Sequence, residues 1–99
     1  MSARFPFSAR LWRYSGQAAW HFVTVPRDIS DRMRALSGGL RNAFGSLRVI
    51  ARVGQTEWRT SVFPDAKSGA FLLPVKADVR RKEKIGDDDA VDVVLEIDL

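Results

Sequence analysis

The sequence contains no cysteine, one histidine and no long apolar run. The lack of cysteine excludes disulfide bonds and thiolate metal sites, and it is typical of proteins in a reducing compartment. No apolar segment approaches the roughly 20 residues that a membrane-spanning helix needs. The N-terminal residues also lack the apolar stretch and cleavage site of a signal peptide. We therefore expect a cytoplasmic protein with no membrane partner.

Acidic residues are scarce in most of the chain. Residues 1–86 hold all 16 Lys and Arg residues and six of the 12 acids, whereas residues 87–99 hold the other six acids and no Lys or Arg. A basic body favours an anionic partner. The net charge of +4 is also ordinary for the solvated surface of a small domain. The length of 99 residues predicts a single domain over residues 1–99.

Alternation of apolar and polar residues predicts a mostly β protein. Apolar residues occupy every second position from Phe5 to Leu11 and from Val91 to Leu99. A turn at Ser15-Gly16 is predicted to join the first strand to a second strand over residues 17–25. The resulting pairs are Leu11 with Trp20, Ala9 with Phe22, Arg10 with His21 and Trp12 with Ala19. This register directs Trp20 and Phe22 into the core.

A second hairpin is predicted around Gly54-Gln55, where a leading glycine suits a type II′ turn. Its apolar face pairs Val53 with Thr56, Ala51 with Trp58, Val49 with Thr60 and Leu47 with Val62. Its other face pairs Arg52 with Glu57, Ile50 with Arg59 and Arg48 with Ser61. A slip of one residue would turn every side chain over, so the pattern specifies this register. We expect Val49, Trp58, Val93 and Leu95 in the core.

Two short helices are predicted between the strands. The first follows Pro26, with Asp28 or Ser30 as its N-cap and a buried stripe of Ile29, Met33 and Leu36. The second opens at Pro74 and carries Lys76, Arg80 and Lys84 on one face. The order is therefore β-β-α-β-β-β-α-β. Hairpin-joined strands in this order favour a small antiparallel β-barrel, which hides its strand edges.

Four stretches of the sequence carry a resemblance to a known family. They are Leu11-Trp12-Arg13, Ala19-Trp20-His21-Phe22-Val23, residues 58–65, and Leu73-Pro74-Val75-Lys76. Together they resemble the uncharacterised bacterial domain family DUF1905. The resemblance implies a double-split β-barrel. It implies no biochemical activity, because the family is named for the lack of one.

The last third of the sequence is also similar to the swapped-hairpin barrels of the AbrB and MazE type, which are transition-state regulators and antitoxins. Their Ile-x-x-Gly-Asp-x-Val element is matched by Ile85, Asp89 and Val91, but Asp88 stands where the pattern has glycine. Glycine at such a position serves a positive-φ turn. The similarity implies shared architecture rather than shared DNA binding.

Basic residues supply the best candidate for a binding surface. Arg48, Arg52 and Arg59 lie on one predicted sheet face, and Lys76, Arg80 and Lys84 lie on the second helix. Arginine suits phosphate groups, and an exposed aromatic residue such as Trp12 can stack on bases. These residues predict an anion-binding or nucleic-acid-binding surface. A solvated face with no partner is the other interpretation.

A pocket formed by Arg10, His21 and Ser61 is a second hypothesis, in which His21 beside Arg10 helps to hold an anion. Ser61 lacks a nucleophile elbow and an identifiable base, so no catalytic residue is predicted. We expect no cofactor and no metal. The acidic run at residues 87–89 lacks the ligand spacing of a calcium loop, and His21 has no obvious companion ligands.

The patterns together predict a non-enzymatic β-barrel binding module whose ligand the sequence does not identify. One alternative is a regulator-like nucleic-acid-binding protein that uses the basic sheet face and the basic helix. Another is a small enzyme or sensor for an anionic metabolite. A homodimer is a further hypothesis, because a split barrel leaves a strand edge with which a second copy can pair.

Overall fold

The fold is that of a computed structural model, which describes residues 1–16, 19–41 and 44–99. Its elements are β1 (Ser2–Arg13), β2 (His21–Thr24), α1 (Arg27–Ser37), β3 (Leu47–Val53), β4 (Thr56–Pro64), β5 (Phe71–Pro74), α2 (Ala77–Glu83) and β6 (Ala90–Asp98). A short 3-10 helix, Gly38–Leu40, follows α1. The predicted order of strands and helices is confirmed. In the described ranges, no helix has the length and apolar character that crossing a membrane requires.

The six strands form a closed antiparallel barrel in the order β1-β2-β5-β4-β3-β6. Strand β1 pairs with β6 over residues 2–10 and with β2 only over residues 11–13. Strand β4 divides in the same way, because it pairs with β3 over residues 56–62 and with β5 only over residues 63–64. These two divided strands are the splits of the barrel, and the predicted fold class is confirmed.

Each of the six strands has a neighbour on both sides. In a closed barrel, main-chain N–H and C=O groups at the strand edges bond to neighbouring strands of the same chain. Over residues 56–62, however, β4 has a partner strand on one side only, so part of the edge on which the homodimer hypothesis was based remains, and a homodimer stays a prediction.

The hairpin of β3 and β4 has the predicted register at every pair. Gly54 has a φ of 58°. The second turn residue, Gln55, is not among the described residues with a positive φ. A positive φ at the first turn residue alone is the requirement of a type II′ turn. The side chain of Thr56 also donates a hydrogen bond to Glu83 at 2.6 Å, which ties α2 to this turn.

The core residues of the long strands follow the alternation. Val49, Val93 and Leu95 are buried as predicted, together with Val91 and Ile97 of β6. Trp58 packs against this core but keeps part of its side chain in solvent. Apolar side chains on one face of each strand therefore fill the barrel.

The predicted register of β1 and β2 is wrong. Leu11 pairs with Val23 instead of Trp20, a shift of three residues, and Trp12 pairs with Phe22. An odd shift turns the second strand over. Val23 is consequently buried, while Trp20 is 53% exposed and Phe22 is half-buried on the outer face.

The cause of this error is the length of the connection between β1 and β2. The N–H of Tyr14 donates to the C=O of Trp20 at 2.8 Å, so the loop closes between these two residues and is longer than a two-residue turn at Ser15-Gly16. The predicted first residues of the second strand, Gln17 and Ala18, lie outside the described residues.

Helix α1 begins directly after Pro26, and neither Asp28 nor Ser30 provides a side-chain cap. Its buried residues are Ser30, Met33 and Ser37. The predicted stripe is therefore correct at Met33 but wrong at Leu36, which is 51% exposed.

Ser30 is buried because it joins the helix to a strand. Its Oγ donates to the C=O of Val25 at 3.1 Å and accepts the N–H of Phe71 at 3.0 Å. A buried hydroxyl that makes both bonds satisfies two main-chain groups between α1 and β5. This polar contact explains why the apolar pattern alone misplaced the buried face.

Helix α2 begins at Ala77, so Pro74 does not open it as predicted. Pro74 instead ends β5, where it pairs with Phe22. Val75 and Val79 are buried, which orients α2 on the barrel. Lys84 ends the helix in the left-handed conformation, with a φ of 54°.

Candidate functional site

A concave cavity of about 520 Å³ opens beside the split in β4. Over residues 56–62, β4 has a partner strand on one side only, and α2 contacts it. The cavity wall consists of the start of β2, the middle of β4, the end of β5 and the beginning of α2. We call this cavity the cationic cleft, because its cations are Arg59, Lys76 and Arg80.

The three cations of the cleft have no acidic partner among the described residues. Arg59 on β4 and Lys76 before α2 are exposed. Arg80 is half-buried, and its Nε donates to the C=O of Val75 at 3.2 Å. This bond holds the Arg80 side chain against the barrel and leaves its terminal nitrogens for another acceptor.

Aromatic side chains form the apolar part of the cleft. Trp20, Trp58 and Phe63 line it together with Pro74 and Val75. No described carboxylate lines the cavity. The cleft therefore combines positive charge with apolar walls, the composition expected of a site for an anion with an apolar body.

His21 lies in the wall of the cleft and is only 8% exposed. Its Nδ1 lies 3.2 Å from the C=O of Ala19, and its Nε2 lies 2.7 Å from Oδ1 of Asp87. The C=O of Ala19 and the carboxylate of Asp87 are both acceptors, so each ring nitrogen faces an acceptor. The contact with Asp87 attaches the loop before β6 to the barrel.

The acidic loop, residues 86–89, is bonded to the barrel at several other points. The N–H of Asp88 donates to the C=O of Leu11 at 2.8 Å, and the N–H of Leu11 donates to the C=O of Asp89 at 2.9 Å. Arg10 donates to the C=O of Asp88 at 2.8 Å. Asp88 has a φ of 68°, which is the conformation that glycine serves in the AbrB-type pattern.

A larger cavity of about 880 Å³ adjoins the cleft and shares Trp20 and Phe63 with it. We call its ring-lined floor the aromatic surface; it consists of Trp12, Tyr14, Trp20 and Phe22. The ring of Phe22 lies 5.1 Å from that of Trp12 and 6.0 Å from that of Trp20, which is nearly parallel to it at 10°. Tyr14 meets Phe22 edge-on at 6.5 Å. These contacts hold the rings as one group.

The edge of the larger cavity carries Arg13, Lys67 and Asp65. The hydroxyl of Ser68 donates to Oδ2 of Asp65 at 2.8 Å. This hydrogen bond is the main reason why the pKa of Asp65 lies below its ordinary value of 3.8. Asp65 therefore stays ionised, and its charge is engaged within its own loop.

Arg48 and Arg52 of β3 lie beside the acids of β6. Arg48 lines a cavity of about 420 Å³ with Arg59, Glu96 and Asp98, and Arg52 lines one of about 460 Å³ with Asp92. Arg52 also lies opposite Glu57 in the register, although no ion pair joins these two described residues. We call Arg48 and Arg52 the arginine strip. Its surface is mixed in charge, unlike the cleft.

The structure brings four of the predicted site residues together in the cleft, namely His21, Arg59, Lys76 and Arg80. The arginine strip lies outside the cleft on the neighbouring strand, and Arg59 lines both the cleft and the cavity of Arg48. Ser61, half-buried opposite Arg48, and exposed Lys84 and Arg10 line none of these four cavities. Of the hypothesised pocket of Arg10, His21 and Ser61, His21 lines the cleft, and the pocket stays a prediction.

The sequence did not indicate that Trp20, Trp58 and Phe63 line one cavity. The alternation of Trp20 and Trp58 with polar residues predicts core positions, which is correct in part for Trp58, because it packs against the core, and wrong for Trp20, which is exposed. Among the described residues, no group of three or more His, Asp and Glu is placed to hold a metal ion.

None of the curated proteins compared with the chain matches it. The family model described as Domain of unknown function (DUF1905) matches residues 7–95, a range that includes every strand of the barrel in whole or in part, the cleft and the aromatic surface. The similarity to AbrB-type and MazE-type proteins stays a prediction. By the extent of the family match, the chain belongs to the DUF1905 family.

Proposed function

We propose that this domain is a cytoplasmic, non-enzymatic module that binds an anionic ligand with an apolar or aromatic body in the cationic cleft. The observation that carries the proposal is the convergence of Arg59, Lys76 and Arg80 on one cavity without a described acidic partner. Like charges held together repel one another, and a bound anion relieves that repulsion.

The walls of the cleft support a ligand that is more than a simple ion. Trp58 is packed against the core, while Trp20 and Phe63 are 53% and 45% exposed. A ligand that covers these rings would displace water from the cleft and so strengthen the interaction of its anionic group with the cations. An apolar group on the ligand would cover these rings while its charged group meets the cations.

Binding without catalysis is supported by the state of the polar groups nearby. Both ring nitrogens of His21 face acceptors, and Ser61 lies outside the cleft. General acid–base catalysis needs a group that can exchange a proton with the substrate. The described residues of the cleft provide charge and apolar surface instead.

The proposal is tested with two probes, inorganic pyrophosphate and the aromatic sulfonate dye ANS, by isothermal titration calorimetry. Arg59→Gln and Lys76→Gln should each weaken ANS binding about fivefold to tenfold, because each removes a charge-assisted contact. Both side chains are exposed, so the melting temperature should stay unchanged. Pyrophosphate should bind more weakly than ANS, since it cannot cover the rings.

Arg48→Gln is the matched control, because Arg48 is an exposed arginine on the neighbouring strand, outside the cleft. It should leave the affinity for ANS unchanged. An equal loss in Arg48→Gln, or ANS binding indifferent to both cleft variants, would contradict the proposal.

A further inference from the structure

We infer that the ligand is a single-stranded nucleic acid, whose phosphates lie in the cationic cleft and whose bases stack on the aromatic surface. This inference rests on the proposed function and extends it across the adjoining cavity. Of the predicted sheet-face site it keeps Arg59 and leaves out Arg48 and Arg52, which line neither of the two cavities.

The first support is the continuity of the two cavities. Trp20 and Phe63 border both of them, with volumes of about 520 Å³ and about 880 Å³. Small-molecule sites usually measure roughly 300–1,000 Å³. A ligand that occupies both cavities is therefore longer than a compact metabolite.

The second support is the geometry of the rings. Trp20 is stacked on Phe22 at 10° and remains 53% exposed, so part of its surface is open to solvent. Trp12 is fixed by a hydrogen bond of 2.9 Å from its Nε1 to Oγ1 of Thr24. Rings that are already oriented lose little entropy when a base stacks on them, and stacking accepts any base.

The third support is the distribution of charge around the rings. Arg59, Lys76 and Arg80 line the cleft, and Arg13 and Lys67 line the larger cavity beside the rings. The one described carboxylate that lines either cavity is Asp65, which is bonded to Ser68. Cations in both cavities, with rings that border both, match a strand in which phosphates and unpaired bases alternate. A duplex keeps its bases stacked inside and cannot use such rings.

The composition of the surface favours nucleic acid over an acidic peptide. Four of the residues that line the larger cavity are the rings of the aromatic surface, and Phe63 adds a fifth, whereas Leu72 is the one aliphatic side chain among its described lining residues. Acidic peptides are recognised chiefly by clusters of arginine, whereas a run of exposed rings suits the flat faces of bases.

The central experiment measures fluorescence anisotropy with a labelled oligothymidine of about 12 nucleotides, a length within the usual range of single-strand sites. Trp20→Ala should weaken binding about tenfold, and Trp20→Phe should restore most of the affinity, because stacking needs a ring. Leu36→Ala is the control, because Leu36 is similarly exposed, at 51%, but lies on α1. It should leave the affinity for oligothymidine unchanged. An equal loss in Trp20→Phe and Trp20→Ala would overturn the stacking role.

Salt dependence tests the phosphate contacts. On single strands, each neutralised phosphate contributes a slope of roughly −0.7 in log K against log salt. The double variant Arg59→Gln/Lys76→Gln should reduce the magnitude of the slope by about 1.4, whereas Arg48→Gln should leave it unchanged. A slope that is the same in all three proteins would overturn the placement of phosphates in the cleft.

Competition separates the classes of ligand. Oligothymidine should bind more tightly than a duplex of equal length, and polyglutamate should not displace it. A duplex that binds as tightly, or polyglutamate that competes as well, would overturn the inference in favour of charge alone or of an acidic peptide. Oligouridine of the same length distinguishes RNA from DNA, and tighter binding of either strand supports the shared base-and-phosphate chemistry.

The two proposals fail in different ways. ANS binding that depends on Arg59 and Lys76, with no oligonucleotide binding at low salt, would overturn this inference and leave the proposed function standing. Oligonucleotide binding that depends on Trp20 but on neither cation would overturn the role of the cleft, and with it both proposals.

Discussion

Strands β3 and β6 have seven and nine residues and pair along most of their length, whereas β2 and β5 have four residues each. We call β1, β3, β4 and β6 the long half of the barrel, and β2 and β5 the short half. Ladder hydrogen bonds hold the long half. The short half has few of them, and side chains from outside it, such as Ser30, bond to its main chain. The short strands thus leave room for the cleft and for the larger cavity beside it. Side-chain hydrogen bonds help to complete the barrel wall in this half.

The outer faces of the two halves also differ in how their charges are distributed. On the long half, Arg48 and Arg52 alternate in space with Asp92 and Glu96, so positive and negative charges offset one another. Around the short half, cations and rings collect without that balance. The comparison separates a sheet face on β3 and β6, where cations and acids are mixed, from the region where the short half meets β1, β4 and α2, where cations and rings line two cavities.

The largest effect should come from removing one core leucine from each half. Leu73 on β5 and Leu95 on β6 are both fully buried in one core cluster. Leu73→Ala and Leu95→Ala should each lower the free energy of unfolding by about 2–5 kcal/mol in urea denaturation. A cost below about 1 kcal/mol for Leu73→Ala alone would show that the short half is not part of the common core.

A smaller effect is expected from Ser30→Ala, which removes the acceptor of the Phe71 N–H and the donor to the Val25 C=O. Leaving a buried main-chain group unsatisfied should cost about 1–3 kcal/mol in the free energy of unfolding. Ser37→Ala is the control, because Ser37 is also buried but donates only to Arg34 within its own helix, at 3.4 Å. Equal costs for the two variants would show that the link to the short half is unimportant.

Gly54→Ala tests the turn of the long half. A Cβ at Gly54 would meet the carboxylate of Glu83, and the φ of 58° disfavours any side chain. The variant should lose about 1–2 kcal/mol of stability, measured by thermal unfolding. Gly39→Ala is the matched control, since Gly39 has open space and no positive φ, and it should lose nothing. If Gly54→Ala left the stability unchanged, the hairpin could adopt another turn type that accepts a side chain at this position.

The smallest effect concerns Asp65 at the edge of the aromatic surface. The hydrogen bond from Ser68 lowers the pKa of Asp65 in the folded state, so its stabilising contribution is present above the ordinary value of 3.8 and is lost as the pH falls through the lowered pKa. The wild type should therefore melt slightly above Asp65→Asn at neutral pH, and the two melting temperatures should converge on acidification. A difference in melting temperature that stays constant from neutral to acidic pH would contradict the stabilising role of the ionised Asp65.

The two hairpins show how far the sequence determines the fold. The hairpin of β3 and β4 was predicted correctly because Gly54 begins a two-residue turn and both strands alternate up to it. The Ser15-Gly16 signal gave the presence of a turn but not the number of loop residues, and an error of three residues placed Trp20 and Phe22 on the wrong face. Local patterns fix a register only where the turn is short.

The candidate site was predictable in its residues but not in its arrangement. Arg59, Lys76 and Arg80 are recognisable in the sequence as phosphate-binding residue types. Their convergence depends on α2 lying beside β4, where β4 has no second strand. That placement is a long-range property, which no local spacing reveals. Of the aromatic surface, Trp12 was predicted as a stacking residue, while Trp20 and Phe22 were missed for the same reason as the register of β1 and β2.

The pairing of β1 with β6 has a consequence for how the barrel folds. The register joins Ser2 to Asp98 and Arg10 to Ala90, so the contacts span almost the whole chain. Closing so long a loop costs entropy before any contact forms, which slows folding to roughly the millisecond-to-second range. During synthesis, β1 must wait with the apolar face of Phe5 and Leu11 uncovered until residues 90–98 emerge. The segment most exposed to aggregation in the nascent chain is therefore β1, while the β3–β4 hairpin can form early from its own turn.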